Sequence, residues 1–348
     1  MTLHEKYMMR CLSLAEKGLG KVAPNPMVGC VIVHNDKVIG EGYHKKFGES
    51  HAEVNAINSV KDKLLLKNCT LYVNLEPCSH YGKTPPCVDL IIRYKIKYVV
   101  IGKMDPNPMV CGKGIHKLMS AGCDIKVGVL EQDCQELNKR FYTFYQQKRP
   151  YIILKWAQTA NGYMGINNQK VKISGKDTDK LVHKWRGREQ AIMVGTNTAL
   201  IDNPKLTVRN VKGENPLRIV IDKALKIPSK HNLLDGSTPT IVFTSKNKAG
   251  NKNVKFEKIN FKKDILKQVV NKLYEINVQS VLIEGGTKLL ESFINKNLWD
   301  EAAVIHSNKK VFQTSNSNII VRAPILKGKL NSVVNKKNDK ILFYTNIM

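Results

Sequence analysis

The segment from His51 to Cys87 brings together the side chains of a metal site. It begins with His-Ala-Glu and ends in the run PCSHYGKTPPC. One histidine and two cysteines are ligands that zinc prefers, and three protein ligands leave the fourth tetrahedral position open to water. Glu53 lies two residues after the histidine, where a carboxylate can move protons without binding the metal. The sequence therefore predicts a hydrolytic zinc site with His51, Cys78 and Cys87 as ligands and Glu53 as the catalytic proton carrier.

A closed structural zinc site is the alternative interpretation. It needs a fourth Cys or His, and His80 lies within the segment. Zinc-dependent nucleobase deaminases have the pattern H-x-E…P-C-x-x-C, in which three protein ligands leave the fourth position of the zinc open to water. There, two residues separate the cysteines, whereas eight separate Cys78 from Cys87. The hydrolytic interpretation thus requires a variant with a longer loop between the cysteine ligands.

The length of the chain predicts two domains, because 348 residues exceed the usual size of one hydrophobic core. All eight cysteines lie before residue 135, so the metal site belongs to the N-terminal part. Strand-like apolar runs alternate with amphipathic helical patterns, which favours an α/β fold with a mostly parallel sheet in the second part. We predict domains at 1–146 and 147–348, with the last helix and linker of the first at 136–150.

Local patterns place individual elements. Apolar spacing predicts a helix over 3–17, and two apolar runs around an Asn-Asp turn predict a hairpin that starts at 28–33. Further helices are expected near 176–188 and 262–276. Short apolar runs after residue 303 predict edge strands.

The net charge of +27 is compatible with a nucleic-acid ligand. However, the lysines are scattered singly, without a basic run or an interleaved aromatic stripe, which favours solvated faces and phosphorylated small molecules over nucleic acid. No apolar run reaches membrane-spanning length, and the chain begins without a signal-like apolar core. We expect a cytoplasmic protein that binds no membrane.

Four motifs carry a resemblance to a known family. PNPMVGCVIV, GEGYHKKFGESHAEVNAI, LEPCSHYGKTPPC and DPNPMVCGKGI resemble the bifunctional riboflavin biosynthesis proteins, which join a pyrimidine deaminase to a 5-amino-6-(5-phosphoribosylamino)uracil reductase. The likeness extends from about residue 4 to about residue 303. It implies a cytidine-deaminase-like three-layer α/β/α domain followed by a dihydrofolate-reductase-like α/β domain. It also implies a phosphorylated pyrimidine substrate, one Zn²⁺ per chain, NADPH and a homo-oligomer.

The resemblance implies further contacts in the deaminase domain. Asn25 matches a position expected to hydrogen-bond the pyrimidine, although a plain turn residue is the alternative. Their proximity in sequence to the zinc ligands separately predicts His44, His80 and Lys83 around the same pocket, where their donors would hold the base and the phosphate; a solvated Lys83 is the alternative.

In the second domain, the run VGTNTALIDNPKLTVR carries the resemblance to the reductase. Lys155 is expected at the end of a strand, and most of the other implied residues in loops after strands. The implied substrate contacts are Lys155, Arg186, Leu206, Arg209 and Glu284. The implied cofactor contacts are Lys172, Ser174, Thr198, Asp202, Gly285 and Gly286.

The second domain also departs from the family pattern. The run KWAQTANG has Thr159 and Asn161 where the family has serine and aspartate, and Lys172 replaces a commonly aromatic residue. Two alternative functions therefore stay open at this point. One is a deaminase whose second domain only binds a phosphosugar or mediates oligomerisation. The other is a tRNA deaminase with a basic appended domain.

Overall fold

The computed structural model describes residues 1–82, 85–308, 311 and 320–347. It divides into two compact units, Met1–Lys148 and Arg149–Met348. Among the helices described, none combines the length and the apolarity that crossing a lipid bilayer requires.

The first unit is built on a five-stranded sheet in the order β2-β1-β3-β4-β5. β1 is antiparallel to both of its neighbours, whereas β3, β4 and β5 are parallel. Asn35 and Asp36 connect β1 to β2 with φ of 46° and 57°, the left-handed conformation of a two-residue hairpin turn. The predicted hairpin is confirmed. The strands are β1 (Gly29–His34), β2 (Lys37–Tyr43), β3 (Thr70–Leu75), β4 (Tyr98–Lys103) and β5 (Asp124–Val127).

Helices cover both faces of this sheet. The helices are α1 (Leu3–Ala15), α2 (Ala52–Ser59), α3 (Cys87–Arg93), α4 (Lys113–Ser120), α5 (Glu131–Leu137) and α6 (Lys139–Gln147). Apolar residues of α2, α3 and α4 form one buried cluster with the sheet, and those of α1 and α5 form another. This arrangement confirms the three-layer α/β/α prediction. α1 lies so close to β1 that a Cβ atom on Gly29 would come within 2.1 Å of the Cys11 carbonyl oxygen.

The second unit is built on a nine-stranded sheet in the order β11-β10-β9-β8-β12-β6-β13-β16-β15. Its neighbours from β11 to β13 are parallel, and β16 and β15 add antiparallel strands. The mostly parallel sheet is therefore confirmed. The strands are β6 (Tyr151–Gln158), β7 (Tyr163–Ile166), β8 (Ala191–Gly195), β9 (Leu217–Ile221), β10 (Thr240–Thr244), β11 (Val254–Lys258), β12 (Ser280–Ile283), β13 (Glu301–Ser307), β14 (Ile320–Arg322), β15 (Lys329–Lys336) and β16 (Asp339–Thr345).

Apolar clusters lie on the two faces of the large sheet, while β7 and β14 form a separate two-stranded sheet. The helices are α7 (Lys176–Arg186), α8 (Thr196–Asp202), α9 (Ile265–Glu275) and α10 (Thr287–Asn295). α9 and α10 contribute to one cluster and α8 to the other. At the N-terminus of α7, Asp339 Oδ2 accepts hydrogen bonds from Gly175 N–H at 2.8 Å and the Thr178 hydroxyl at 2.5 Å.

Several sequence predictions need correction. Lys155 lies inside β6, not at the end of a strand, because β6 continues to Gln158 by pairing with β13. Arg186 ends α7, and Thr198 and Asp202 belong to α8, so these three residues are helical and do not lie in loops. Only β15 of the C-terminal pair is an edge strand, since β16 is paired on both sides.

Candidate functional sites

Three element boundaries bring the predicted zinc ligands together. His51 immediately precedes α2, Cys78 follows the end of β3, and Cys87 is the first residue of α3. The two cysteines lie where the chain passes from the parallel strand β3 to α3. The Cys87 backbone N–H donates a hydrogen bond to Cys78 Sγ at 3.3 Å. Hydrogen bonding to Cys87 and His51 lowers the pKa of the Cys78 thiol, which favours the thiolate that binds metal.

The three donor atoms fit a tetrahedral zinc ion. His51 Nδ1 lies 3.5 Å from Cys78 Sγ and 3.3 Å from Cys87 Sγ, and all three ligand atoms lie within 4.8 Å of one another. Standard bond lengths at the tetrahedral angle require separations of about 3.6 to 3.8 Å. No further His, Cys, Asp or Glu among the described residues joins this group, so His80 does not close it. The donor set therefore fits a zinc ion with one open position.

Glu53 lies in the first turn of α2, and only 3% of its surface is exposed. Burial raises the pKa of its carboxyl group, with a further contribution from the charge of Cys78. A carboxyl group whose pKa is raised holds a proton more readily than an exposed one, which suits a group that accepts a proton and then donates it. Its position and burial support the predicted role as proton carrier.

A second histidine and an asparagine lie beside the ligands. The rings of His44 and His51 meet edge to face with centroids 5.4 Å apart. His44 Nδ1 lies 3.1 Å from the Ser50 carbonyl oxygen, so it carries the proton, and His44 Nε2 accepts from Asn25 Nδ2 at 3.1 Å. Burial lowers the pKa of His44, which favours this neutral form. Asn25 is thereby fixed through its amide nitrogen, and its oxygen stays available to accept a hydrogen bond.

His80 and Lys83 are the remaining residues predicted around the pocket. His80 Nδ1 is buried and has no hydrogen-bond partner among the described residues, which leaves it able to bond to a ligand. Lys83 lies outside the described residues, so its predicted contact stays a prediction.

Sequence reasoning missed Glu76, which links the cysteine loop to the segment after β4. The buried carboxylate of Glu76 accepts hydrogen bonds from four backbone N–H groups, at distances of 3.0 to 3.3 Å. The four donors belong to Asp105, Gly112, Gly114 and Ile115. The LEP run that precedes Cys78 was the available signal, but its acidic residue gives no hint of partners about 30 to 40 positions away.

In the second unit, Glu284 lies next to the end of β12 and contacts two cations. Arg186 donates from Nε to Oε1 and from a terminal nitrogen to Oε2, both at 2.7 Å, and Lys155 Nζ lies 3.7 Å from Oε2. Burial alone would raise the pKa of Glu284, but the charges of Lys155 and Arg186 outweigh it and lower the pKa to about 2. The structure thus unites three predicted substrate contacts in one ionised cluster.

Leu206 and Arg209 lie on the loop after α8. Leu206 is buried, with a left-handed φ of 51°, and Arg209 is exposed. Arg209 donates to the Thr207 hydroxyl at 2.9 Å, and its backbone N–H donates to His183 Nδ1 at 3.3 Å. His183, which sequence reasoning missed, therefore connects this loop to α7.

The predicted cofactor contacts fall into two groups. Gly285 has a φ of 112°, and Gly286 caps the N-terminus of α10, where a Cβ atom would lie 3.2 Å from Thr198 Oγ1. The two glycines at this helix N-terminus fit the diphosphate group that NADPH carries. Lys172 and Ser174 instead both contact Asp179 of α7.

Asp202, the last residue of α8, has its pKa raised by burial, an effect that the charge of Lys170 partly offsets. The cofactor roles of Asp202, Lys172 and Ser174 stay predictions.

Comparison with known proteins assigns both units. Residues 1–103 match the model of the cytidine and deoxycytidylate deaminase zinc-binding region, and residues 150–311 match that of the RibD C-terminal domain. The riboflavin biosynthesis protein RibD of Aquifex aeolicus is 40% identical in an alignment of 356 positions that covers 98% of each chain. The chain belongs to the RibD family. RibD of Bacillus amyloliquefaciens is 39% identical over 86% of this chain and 83% of its own.

Solved RibD structures extend the likeness to the fold. A deaminase/5-amino-6-(5-phosphoribosylamino)uracil reductase from Thermotoga maritima superposes with a TM-score of 0.88 at 34% identity, covering 99% of both chains. RibD from Acinetobacter baumannii gives a TM-score of 0.89 at 30% identity, with the same coverage. As a RibD protein, the chain is a bifunctional deaminase and reductase of riboflavin biosynthesis that uses Zn²⁺ and NADPH.

Proposed function

We propose that the chain catalyses two consecutive reactions on one phosphorylated pyrimidine. The first unit hydrolytically deaminates 2,5-diamino-6-(5-phosphoribosylamino)pyrimidin-4(3H)-one. The second unit reduces the ribosyl side chain of the product to ribityl with NADPH, giving 5-amino-6-(5-phosphoribitylamino)uracil. The observation that carries the proposal is the three-ligand cluster of His51, Cys78 and Cys87 with an open fourth position beside buried Glu53.

In the first unit, Glu53 transfers the protons of deamination. Zinc, when bound, supplies the Lewis acidity that activates water at neutral pH. Glu53 accepts a proton from the attacking water and delivers it to the 2-amino nitrogen, which leaves as ammonia while the water oxygen stays on the ring carbon. Asn25, fixed by His44, offers its amide oxygen to a ring N–H.

In the second unit, charge balance favours a phosphorylated substrate. Lys155 and Arg186 share the carboxylate of Glu284, whereas Arg209 forms no ion pair with a carboxylate in the part of the chain that the structure describes. Arg186 already donates two hydrogen bonds to Glu284, so exposed Arg209 is the better contact for the phosphate. NADPH, when bound, supplies the hydride for C1′ of the opened ribose, and Lys155 orients that end of the sugar.

We also propose that the protein forms homo-oligomers in the cytoplasm. None of the eight cysteines forms a disulfide, which supports a reducing compartment. β15 supports self-association because it is an edge strand with eight exposed residues, among them Leu330, Val333 and Val334. Sedimentation of the wild type and of Val333→Lys tests this, and a wild type that sediments as a monomer would contradict it.

A coupled assay tests the function itself. Purified protein is incubated with the diaminopyrimidine substrate, with and without NADPH, while ammonia release and NADPH oxidation are followed. We expect ammonia in both reactions, and stoichiometric NADPH oxidation in the second. Accumulation of the deaminated ribosyl product without NADPH oxidation would refute the reductase step. Inosine formation on tRNA, measured in parallel, would refute the proposed exclusion of nucleic acid.

A further inference from the structure

His183 is a buried polar residue on α7, with 5% of its surface exposed. It precedes Arg186 by three residues, so the two side chains lie on neighbouring parts of one helical face. Arg186 is held by Glu284, while His183 Nδ1 accepts the backbone N–H of Arg209 at 3.3 Å. One face of α7 is therefore bonded both to the buried carboxylate and to the loop that carries the exposed arginine.

The hydrogen bond requires a neutral imidazole. A backbone N–H can donate to Nδ1 only when that nitrogen has no proton, so the remaining proton lies on Nε2. The charged groups that act on His183 are Arg186 of its own helix, Arg209 of the loop and Glu284 after β12. Burial, followed by the two arginines, lowers the pKa of His183, which outweighs the opposing effects of the Thr207 backbone and Glu284. The neutral form therefore prevails at neutral pH.

Few other hydrogen bonds hold the loop near Arg209. The guanidinium of Arg209 contacts only its near neighbour Thr207 among the described hydrogen bonds, and that residue belongs to the same loop. Val208 is fixed further along the loop by a bond from its N–H to Asn215 Oδ1 at 2.8 Å. Thr207 O lies 3.4 Å from an Arg186 nitrogen, a long contact. His183 thus provides the direct side-chain contact between α7 and the backbone of Arg209.

We propose that His183 is a positioning residue of the reductase site, which holds the backbone of Arg209 so that its guanidinium can bind the phosphate of the substrate. This inference rests on the proposed reductase function. His183 does not touch the reacting atoms, so its loss should weaken substrate binding more than it slows hydride transfer. The first unit should be unaffected, so ammonia release gives every variant an internal measure of the amount of protein.

The test compares three variants of the full-length chain with the wild type. His183→Leu keeps the volume but removes the acceptor, and His183→Asn places an amide oxygen where Nδ1 was. His306→Leu is the matched control. His306 is a half-buried histidine of the second unit, and burial lowers its pKa as it lowers that of His183. However, His306 lies beside Gln158 and not beside Arg209. Steady-state rates of NADPH oxidation are measured on purified 5-amino-6-(5-phosphoribosylamino)uracil, and ammonia release on the deaminase substrate is measured in parallel.

We expect His183→Leu to raise KM for the ribosyl phosphate about tenfold, the usual effect of leaving one N–H without its acceptor. kcat should change far less, and KM for NADPH, ammonia release and the His306→Leu control should stay at wild-type values. His183→Asn should restore most of the affinity. A His183→Leu enzyme with wild-type KM, or one in which kcat falls while KM is unchanged, would overturn the proposal.

The pH dependence gives a second readout that also serves if His183→Leu fails to fold. Protonation of His183 at acid pH removes the acceptor, so KM of the wild type should rise relative to that of His183→Asn as the pH falls. Taking the ratio of the two cancels titration of the substrate phosphate, which is common to both. A ratio that is constant with pH would contradict the inference. If the wild type itself oxidises no NADPH, the proposed reductase function fails instead.

Discussion

Arg186 and Glu284 are joined by two parallel hydrogen bonds of 2.7 Å, although 98 positions separate them in the chain. The side chain of Glu284 is only 6% exposed, and Lys155 approaches it from the neighbouring strand β6. An ion pair of this kind is strongly destabilised when one partner loses its charge. The pair therefore links the stability of the second unit to the electrostatics of its site.

Glu284→Gln should lower both reductase activity and stability while leaving deamination intact. The neutral amide cannot balance Lys155 and Arg186, so we expect the free energy of unfolding of the second unit to fall by about 3 kcal/mol. Tryptophan fluorescence measures this selectively, because Trp156, Trp185 and Trp299 all lie in that unit. Exposed Glu291→Gln is the control, and equal stability of the two variants would contradict the prediction.

The same carboxylate predicts an acid-dependent loss of stability. Its pKa is lowered from 4.5 to about 2 in the folded state, so the folded state gains stability above pH 4.5. That gain, about 3 kcal/mol from the difference in pKa, is lost as the pH falls from 4.5 through 2. Denaturant unfolding of the wild type and of Glu284→Gln at pH 7 and pH 3 checks the sign: the difference between them should shrink at pH 3. A difference that grows on acidification would be inconsistent with an ionised Glu284.

Cys87→Ser should remove the metal and deamination together. A serine hydroxyl is a poor ligand for zinc, so we expect zinc content to fall from about one per chain to near zero. Reduction of added 5-amino-6-(5-phosphoribosylamino)uracil should persist. Cys111→Ser, which changes an exposed cysteine, should keep both zinc and activity. Unchanged zinc content in Cys87→Ser, measured by atomic absorption, would refute the ligand assignment.

Glu53→Gln should separate proton transfer from metal binding. The amide keeps the shape but cannot carry a proton, so deamination should fall by a factor of about 10² to 10⁴. Zinc content should match that of the wild type, since Glu53 is not part of the ligand cluster. The control Glu49→Gln alters an exposed carboxylate nearby and should have no effect on ammonia release. Loss of zinc in Glu53→Gln would show instead that the carboxylate holds the metal.

Gly29→Ala should destabilise the first unit. A Cβ atom there would lie 2.1 Å from the Cys11 carbonyl oxygen, so α1 must shift away from β1, at a cost of about 1 to 3 kcal/mol. Gly82→Ala is the control because a Cβ atom there would lie 3.9 Å from His80 Nε2, an ordinary contact distance. Thermal unfolding followed by circular dichroism compares the two, and equal melting temperatures would rule out the close contact.

The sequence predicted those features that depend on residues close together in the chain. His51, Glu53, Cys78 and Cys87 could be identified because each lies at an element boundary that short patterns reveal. The same holds for the alternation of strands and helices, which gives both α/β units. The apolar run 151–154 stops at Lys155, but the hydrogen bonding of β6 to β13 continues to Gln158, so Lys155 lies inside the strand.

What the sequence could not provide are pairings across long separations. No periodicity connects Arg186 with Glu284, or Glu76 with the backbone of Gly112. His183 resembles any helical histidine until the loop of Arg209 is folded against it. These contacts depend on sheet order and loop path, which set the neighbours of a side chain independently of its own flanking residues.

The hydrogen bonds of Asp339 have a consequence for the order in which the protein forms during translation. Asp339 caps α7, the helix of His183 and Arg186, and begins β16, which pairs with β13. The first unit contains all of its strands by Val127 and can fold while the ribosome is still synthesising the second. The reductase helix acquires its cap only after residue 339 has emerged. A nascent chain would thus have the means to release ammonia before it has the means to use NADPH.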